Sequence, residues 1–199
     1  PVFVMSKTDK SNSPVRGTCS NLVNLWPIYP EYLHEAFQHA FSTECLQNGT
    51  KRLTEKEWRE ILYHLKDDSV VCPHCGEINF ASLGVDGCLH CTECHKKQII
   101  PYALKVNEHI VVAGKGKHLT EYHTIYGDRN KAVGNFVESK KTSGVFGITN
   151  VSNTMWTVTY PDKPAMKYDI GKTVTLIPDT TIDLGNMEIT VVSMAEKNK

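Results

Sequence analysis

Apolar positions along the chain change their period near its middle. Leu33, Ala36, Phe37, Ala40 and Phe41 recur at helical spacing, and Pro30 suits the first turn, where its missing N–H is no loss. A second helix is expected near Thr54. There Thr54-Glu55-Lys56-Glu57 has the form of a capping box, and Trp58, Ile61, Leu62 and Leu65 follow on one face. Residues 1–20 show no sustained period and predict an irregular lead-in that leans on another part of the chain. Past the middle, short runs at 109–112, 145–148, 155–160, 167–170, 174–177 and 187–192 read as strands. Trp156, Val158 and Tyr160 share one face, and Pro161-Asp162-Lys163, Ile170-Gly171 and Gly185-Asn186 read as turns. This spacing predicts an antiparallel β-sandwich or barrel of roughly 90 residues. No internal sequence repeat is visible, and the tail 196–199 reads as polar and frayed.

Between the helical and β-rich parts stand Cys72-Pro-His-Cys75 and Cys91-Thr-Glu-Cys94, separated by fifteen residues. Two such pairs can point four thiolates at one tetrahedral Zn²⁺, as in a zinc ribbon. A closed four-cysteine shell leaves no position for water or substrate, so the expected role of the metal is structural, its binding free energy acting as folding free energy. Iron–sulfur ligation is the lesser rival. Cys88-Leu-His-Cys91 repeats the same spacing, which leaves open a second pair slipped by three residues; Cys91 with Cys94 is preferred because Lys96-Lys97-Gln98-Ile99-Ile100 then runs straight into a strand. His74, His90 and His95 read as solvent-facing neighbours, and Cys19 and Cys45 as structural thiols.

Composition narrows the function classes. With 22 basic and 22 acidic residues the formal charge is zero, so no global basic field draws the chain onto nucleic acid or acidic lipid. Lys96-Lys97 and the group Lys115, Lys117 and His118 read as solvated faces, with no aromatic residues interleaved as a stacking platform. No apolar run is long enough to span a bilayer. Five of the seven cysteines lie between Cys72 and Cys94, which favours a metal site in a reducing compartment and hence a cytoplasmic setting. Trp26, Trp58 and Trp156 are expected in packing positions.

Leu25-Trp26-Pro27, Pro30, Leu33, Ala36-Phe37 and Ala40-Phe41, followed by Arg52 and Glu57-Trp58, resemble the last helices of the C-lobe of bacterial eukaryotic-like serine/threonine protein kinases. The stretch from Pro1-Val-Phe-Val to Ser11-Asn12-Ser13-Pro14 resembles the segment that precedes them. The likeness covers about a third of the chain, and it implies an architectural ion-pair role for Arg52. The chain contains no Gly-rich phosphate loop, Val-Ala-x-Lys strand, His-Arg-Asp loop or Asp-Phe-Gly, and Gly114-Lys-Gly-Lys-His118 lacks the spacing of a Walker loop. ATP and Mg²⁺ are therefore expected only in a catalytic lobe encoded upstream, and the chain alone is expected to be inactive.

The β-rich third is similar in rhythm to a forkhead-associated β-sandwich, at Val133-Gly134, Phe146 to Asn153, Trp156, Ile170-Gly171 and Ile182 to Gly185. That family reads phosphothreonine through an Arg after an early Gly, a Ser-x-x-His and an Asn-Gly; here Asn135 follows Gly134, no Ser-x-x-His occurs, and Val151 follows Asn150. Arg129 is the nearest replacement. Taken together, these readings predict an α+β multidomain chain. Residues 1–68 hold the lead-in and two C-lobe-like helices, 69–106 a Cys₄ zinc ribbon with Cys72, Cys75, Cys91 and Cys94 as ligands, 107–195 the sandwich, and 196–199 the tail. The kinase resemblance implies a regulatory, partner-docking part of a signalling kinase that meets a protein partner or its own kinase lobe through the sandwich. A standalone zinc-ribbon adaptor for protein or nucleic acid is the alternative, with nucleic acid the less expected ligand and no membrane contact.

Overall fold

The computed structural model describes residues 2–195 and divides the chain into two compact units, Pro1–Lys66 and Asp67–Lys199. The expected frayed tail at 196–199 lies outside the described residues, as does Pro1 of the kinase-like opening. The first unit carries α1 (Ser20–Leu25), α2 (Glu31–Ala40), α3 (Thr43–Gln47) and most of α4 (Glu55–Asp68). Pro30 is the N-cap of α2 in extended conformation. The Thr54 box closes reciprocally: the Thr54 N–H donates to Glu57 Oε2 at 2.7 Å, and the Glu57 N–H donates to Thr54 Oγ1 at 3.3 Å. Residues 2–19 form no helix or strand and pack on α2. Phe3 stacks on Phe41 with ring centroids 5.1 Å apart and meets Trp26 edge-on, while Gln38 Nε2 donates to the Met5 carbonyl.

Aromatic contacts hold this unit: Trp26 stacks on His34 at 4.3 Å, and Phe37 meets Trp58 at 5.3 Å. Apolar burial is sparse. Before Lys66 only Pro30, Leu33, Ala36 and Cys45 are buried among the apolar residues described, whereas Leu22, Leu25, Phe41 and Leu62 are exposed. The helical period placed Leu62 on the packed face of α4; in the structure it is 52% exposed, because periodicity defines a stripe but not its width.

The second unit contains two antiparallel sheets packed face to face. A six-stranded sheet runs in the order β11 (Met166–Tyr168), β10 (Trp156–Thr159), β13 (Thr181–Asp183), β14 (Glu188–Val192), β5 (Ala103–Val106), β6 (His109–Val112). A four-stranded sheet runs β12 (Thr173–Thr175), β9 (Phe146–Asn150), β8 (Ala132–Glu138), β7 (His118–Thr120). Leu104, Trp156, Val158 and Ile182 from the first sheet meet Leu119, Phe136, Ile148 and Val174 from the second in one core. β5 lies inside the larger sheet, paired with β14 and β6.

β8 is not among the strands expected from the sequence, and Gly134 stands within it. Gly134 is buried mid-strand, where an added Cβ would sit 2.5 Å from Ile148 Cδ1 and 3.1 Å from Trp156 Cη2. Its lack of a side chain makes room for the core. The short α5 (Glu121–Ile125) also escaped the periodicity, since its capping box uses Thr120 with His123 in place of an acid. His123 is buried; its Nδ1 accepts from the Thr120 N–H at 3.0 Å, which leaves the Nε2–H to donate to the buried Asp67 carboxylate at 3.1 Å.

Two hairpins precede the sheets: β1 (Ser69–Val71) with β2 (Ile78–Phe80), and β3 (Cys88–His90) with β4 (Lys97–Ile99). They are structural copies shifted by nineteen residues, the separation of Cys72 from Cys91 and of Asn79 from Gln98. Ser69↔Phe80, Val70↔Asn79 and Val71↔Ile78 correspond to Cys88↔Ile99, Leu89↔Gln98 and His90↔Lys97. The chain therefore does hold an internal repeat, one of backbone and ligand position in which Cys-x-x-Cys is the only shared sequence. Val70, Leu89 and Ile100 pack with Ala103 of β5, Val112 of β6 and Met194, joining hairpins and sheet in a second apolar cluster.

Candidate metal centre

Each Cys-x-x-Cys occupies the turn of its hairpin, and the two turns are built alike. The Cys72 N–H donates to the Glu77 carbonyl at 2.8 Å and the Gly76 N–H to the Cys72 carbonyl at 3.0 Å. In the second copy the Cys91 N–H donates to the Lys96 carbonyl and the His95 N–H to the Cys91 carbonyl, each at 3.0 Å. The residue after the second cysteine must take a left-handed conformation. Gly76 does so at φ 82°, where glycine carries no penalty, and His95 at φ 58°.

The turns bring Cys72, Cys75, Cys91 and Cys94 together, with all four Sγ atoms within 4.8 Å of one another. Cys72 and Cys94 lie 3.7 Å apart and Cys75 and Cys91 3.5 Å apart, Sγ to Sγ. A tetrahedral ion with metal–sulfur bonds of ~2.3 Å requires sulfur separations of about 3.8 Å. The donor set and its dimensions therefore fit a metal ion such as Zn²⁺. Cys88 stands on β3, paired with Ile99, and lies outside the cluster, which holds Cys91 and Cys94. His74, His90 and His95 are exposed; His90 Nδ1 is hydrogen-bonded to the His95 carbonyl at 3.2 Å.

Without a cation, Cys91 and Cys75 are shifted in opposite directions. For Cys91, burial acts upward but is overcome by backbone N–H groups of Cys94 and Glu93, the Asn79 amide and Cys75, bringing it down to about 6. For Cys75 the Glu77 N–H acts downward, but burial and the neighbouring sulfurs of Cys91, Cys94 and Cys72 outweigh it and push the thiol up to about 12. A bound dication would remove that opposition and favour the thiolate at Cys75 and Cys91.

Asn79 is the site residue that sequence reasoning missed. It is buried, donates from Nδ2 to Cys91 Sγ at 3.6 Å, and accepts at Oδ1 from the Thr92 N–H and hydroxyl at 2.9 and 3.2 Å. It thus ties the first hairpin to the second knuckle and orients a ligand sulfur. Only knowledge of the hairpin register would have revealed it.

The remaining candidates are engaged elsewhere. Arg129 lies over the Tyr122 ring, 4.4 Å from its centroid. Asn150 is buried, its amide spent on the Thr154 carbonyl and on Ser152. Lys117, read as part of a solvated basic face, is half-buried and donates to the Asp67 and Ser69 carbonyls at 2.6 and 3.1 Å. His118 meets Asn135 Oδ1 at 2.7 Å. Arg52 Nε donates to the Cys45 carbonyl at 2.9 Å, so the contact at the expected ion-pair position is with a carbonyl. The Cys45 thiol is buried and donates to the Lys51 carbonyl at 3.0 Å, as befits a structural thiol. Comparison with family models, with curated proteins and with solved structures returned no match. No helix among the described residues is long and apolar enough to cross a membrane.

Proposed function

We propose that this chain is the non-catalytic, C-terminal regulatory and partner-docking part of a serine/threonine protein kinase of the bacterial eukaryotic-like type. The parent polypeptide transfers phosphate from ATP to protein hydroxyls, with ATP and Mg²⁺ held upstream of these residues. The observation that carries this reading is the thin core of the helical unit. Pro30, Leu33, Ala36 and Cys45 are too little apolar burial for four helices, while Leu22, Leu25, Phe41 and Leu62 remain uncovered. Helices that close a larger lobe have this character, and these are the residues that resemble the end of a kinase C-lobe.

In this reading zinc is structural. Cys72, Cys75, Cys91 and Cys94 would hold it in a closed shell, making the hairpins a rigid base for the sandwich through the cluster around Val70, Leu89 and Ile100. The sandwich, forkhead-associated in rhythm, docks a protein partner or the kinase lobe without a phosphate-reading arginine, since Arg129 is stacked on Tyr122. All seven cysteines are free, which suits a reducing, cytoplasmic compartment.

Intact mass of the native protein from its own cell, together with the coding frame upstream of Pro1, tests the proposal. A polypeptide several hundred residues longer, with phosphate-loop and catalytic-loop motifs, is the expected result. A native product beginning near Pro1 overturns it in favour of a zinc-stapled adaptor. That second reading has one observation behind it: the hairpins and sandwich share an apolar cluster and need nothing outside the second unit to complete it.

A further inference from the structure

A groove of about 570 Å³ runs along β1 and β4 and is walled by the β8–β9 turn. Their hairpin partners β2 and β3 do not line it. The Cys72 N–H bonds to Glu77, and Cys91 and Ile100 bond across to Lys96 and Gly87, so alternate residues of each strand face its own partner. By that alternation the N–H and C=O groups of Val71 on β1, and of Lys97 and Ile99 on β4, point to the outer edges. The side chains beside those edges are apolar and open to solvent: Ile99 is 80% exposed and Val71 55%, with Tyr102 and Val145 nearby.

Gln98 supplies an independent observation. Its side chain lines the groove and is only 5% exposed, yet neither Nε2 nor Oε1 has a hydrogen-bond partner. The internal repeat explains why. Gln98 is the counterpart of Asn79, whose Oδ1 binds the Thr92 N–H. The counterpart of Thr92 is Pro73, which has no N–H to offer. The fold therefore lacks the partner that its other half provides, and a buried amide with an unused donor and acceptor is costly to keep.

We propose that this groove binds an extended, acidic peptide segment of a protein partner by strand addition. A peptide backbone pairs along the free edge at Lys97 and Ile99, and the buried Gln98 amide behind that edge gains partners by turning toward the added strand. Charge selects the acidic class. Lys97 and Lys115 on the rim have no ion-pair partner among the described residues, whereas Glu138, the acid on that rim, accepts from Ser143 Oγ and the Gly144 N–H of its own hairpin. The site depends neither on the kinase reading nor on the adaptor reading, because all of it lies in the second unit.

The test pans a displayed library of random linear peptides on the zinc-loaded full chain, then measures a labelled synthetic peptide of the enriched sequence. Enriched sequences should alternate apolar residues with Asp or Glu, and their binding should weaken with salt. Hydrogen exchange at the Lys97 and Ile99 amides should slow on binding. Ile99→Asp, at an exposed position, should abolish binding without loss of fold. Gln98→Leu should weaken binding about tenfold while raising the melting temperature, since it removes an unsatisfied buried amide. A selection without enrichment, equal affinity for Ile99→Asp, or unchanged exchange at both amides overturns the proposal. So does a concentration-dependent dimer abolished by Ile99→Asp, which would make the occupant a second copy of this chain.

Discussion

The two units reach stability by different routes. In the helical unit, caps and aromatic stacking do most of the local work: the Thr54–Glu57 box, Ser42 at the start of α3, and the rings of Phe3, Trp26, Phe37 and Trp58 around a few buried aliphatics. In the second unit the two sheets bury a continuous core in which Leu104, Trp156, Val158, Ile148 and Ile182 are fully enclosed. The hairpins ahead of it are three-residue strands that could not persist alone in water. They rely on a shared apolar cluster on one side and four cysteines on the other. Short strands need an anchor in place of the core they lack, which an ion held by the four cysteines would supply, and short helices need neighbours that cover them.

The largest expected effect falls on that anchor. Structural zinc contributes on the order of 10 kcal/mol of binding free energy in small sites, so chelation or Cys72→Ser should release metal and melt both hairpins. Metal content with near-ultraviolet circular dichroism checks this; one zinc per chain retained by Cys72→Ser at an unchanged melting temperature would refute the ligand assignment. Next, two tryptophans set the units against each other. Trp156 is fully buried and its replacement by Ala should cost ~3–5 kcal/mol, whereas half-buried Trp58 should cost about 2 kcal/mol. Equal losses in denaturant titrations would mean that the helical unit is better covered than its exposed side chains indicate.

A smaller effect is expected at Gly134, where Gly134→Ala forces Ile148 or Trp156 to move. The cost should be ~1–3 kcal/mol, read as a lowered denaturation midpoint with an unchanged slope. The smallest concerns pH in the metal-free chain. Cys91, depressed from 9.0 to about 6, favours the folded state most fully above 9.0, and that contribution fades as pH falls to about 6. Cys75, raised to about 12, acts oppositely: its contribution is complete below 9.0 and is lost as pH rises toward 12. Thiolate ultraviolet absorbance of the apo protein should therefore show one early and one late step. Cys75 and Cys91 titrating together near 9.0 would contradict the cluster geometry.

The four-cysteine cluster was legible because Cys-x-x-Cys is a local statement: two residues of spacing suffice to aim two sulfurs, and the fifteen-residue gap suffices to return the chain. The Thr54 cap and the strands near 109–112 and 187–192 were legible for the same reason, each carrying its signal within a few residues. Gly134 defeated the local reading because its purpose is to admit Ile148 and Trp156, which lie elsewhere in sequence. Asn79 and Gln98 were invisible because their meaning depends on register with Thr92 and Pro73 across two hairpins. Nothing near Lys117 in sequence indicates that Asp67 and Ser69 turn their carbonyls toward it.

By itself, then, the sequence determined what depends on short-range chemistry: the helix caps, the alternation of the longer strands, and four cysteines spaced for one ion. The folded arrangement was needed to show which cysteines lie together, which glycine makes room in the core, and that the two hairpins repeat one another. It also decided that Asn79 is satisfied while its counterpart Gln98 is not, because hydrogen bonds and packing join groups by distance in space, which local spacing does not encode.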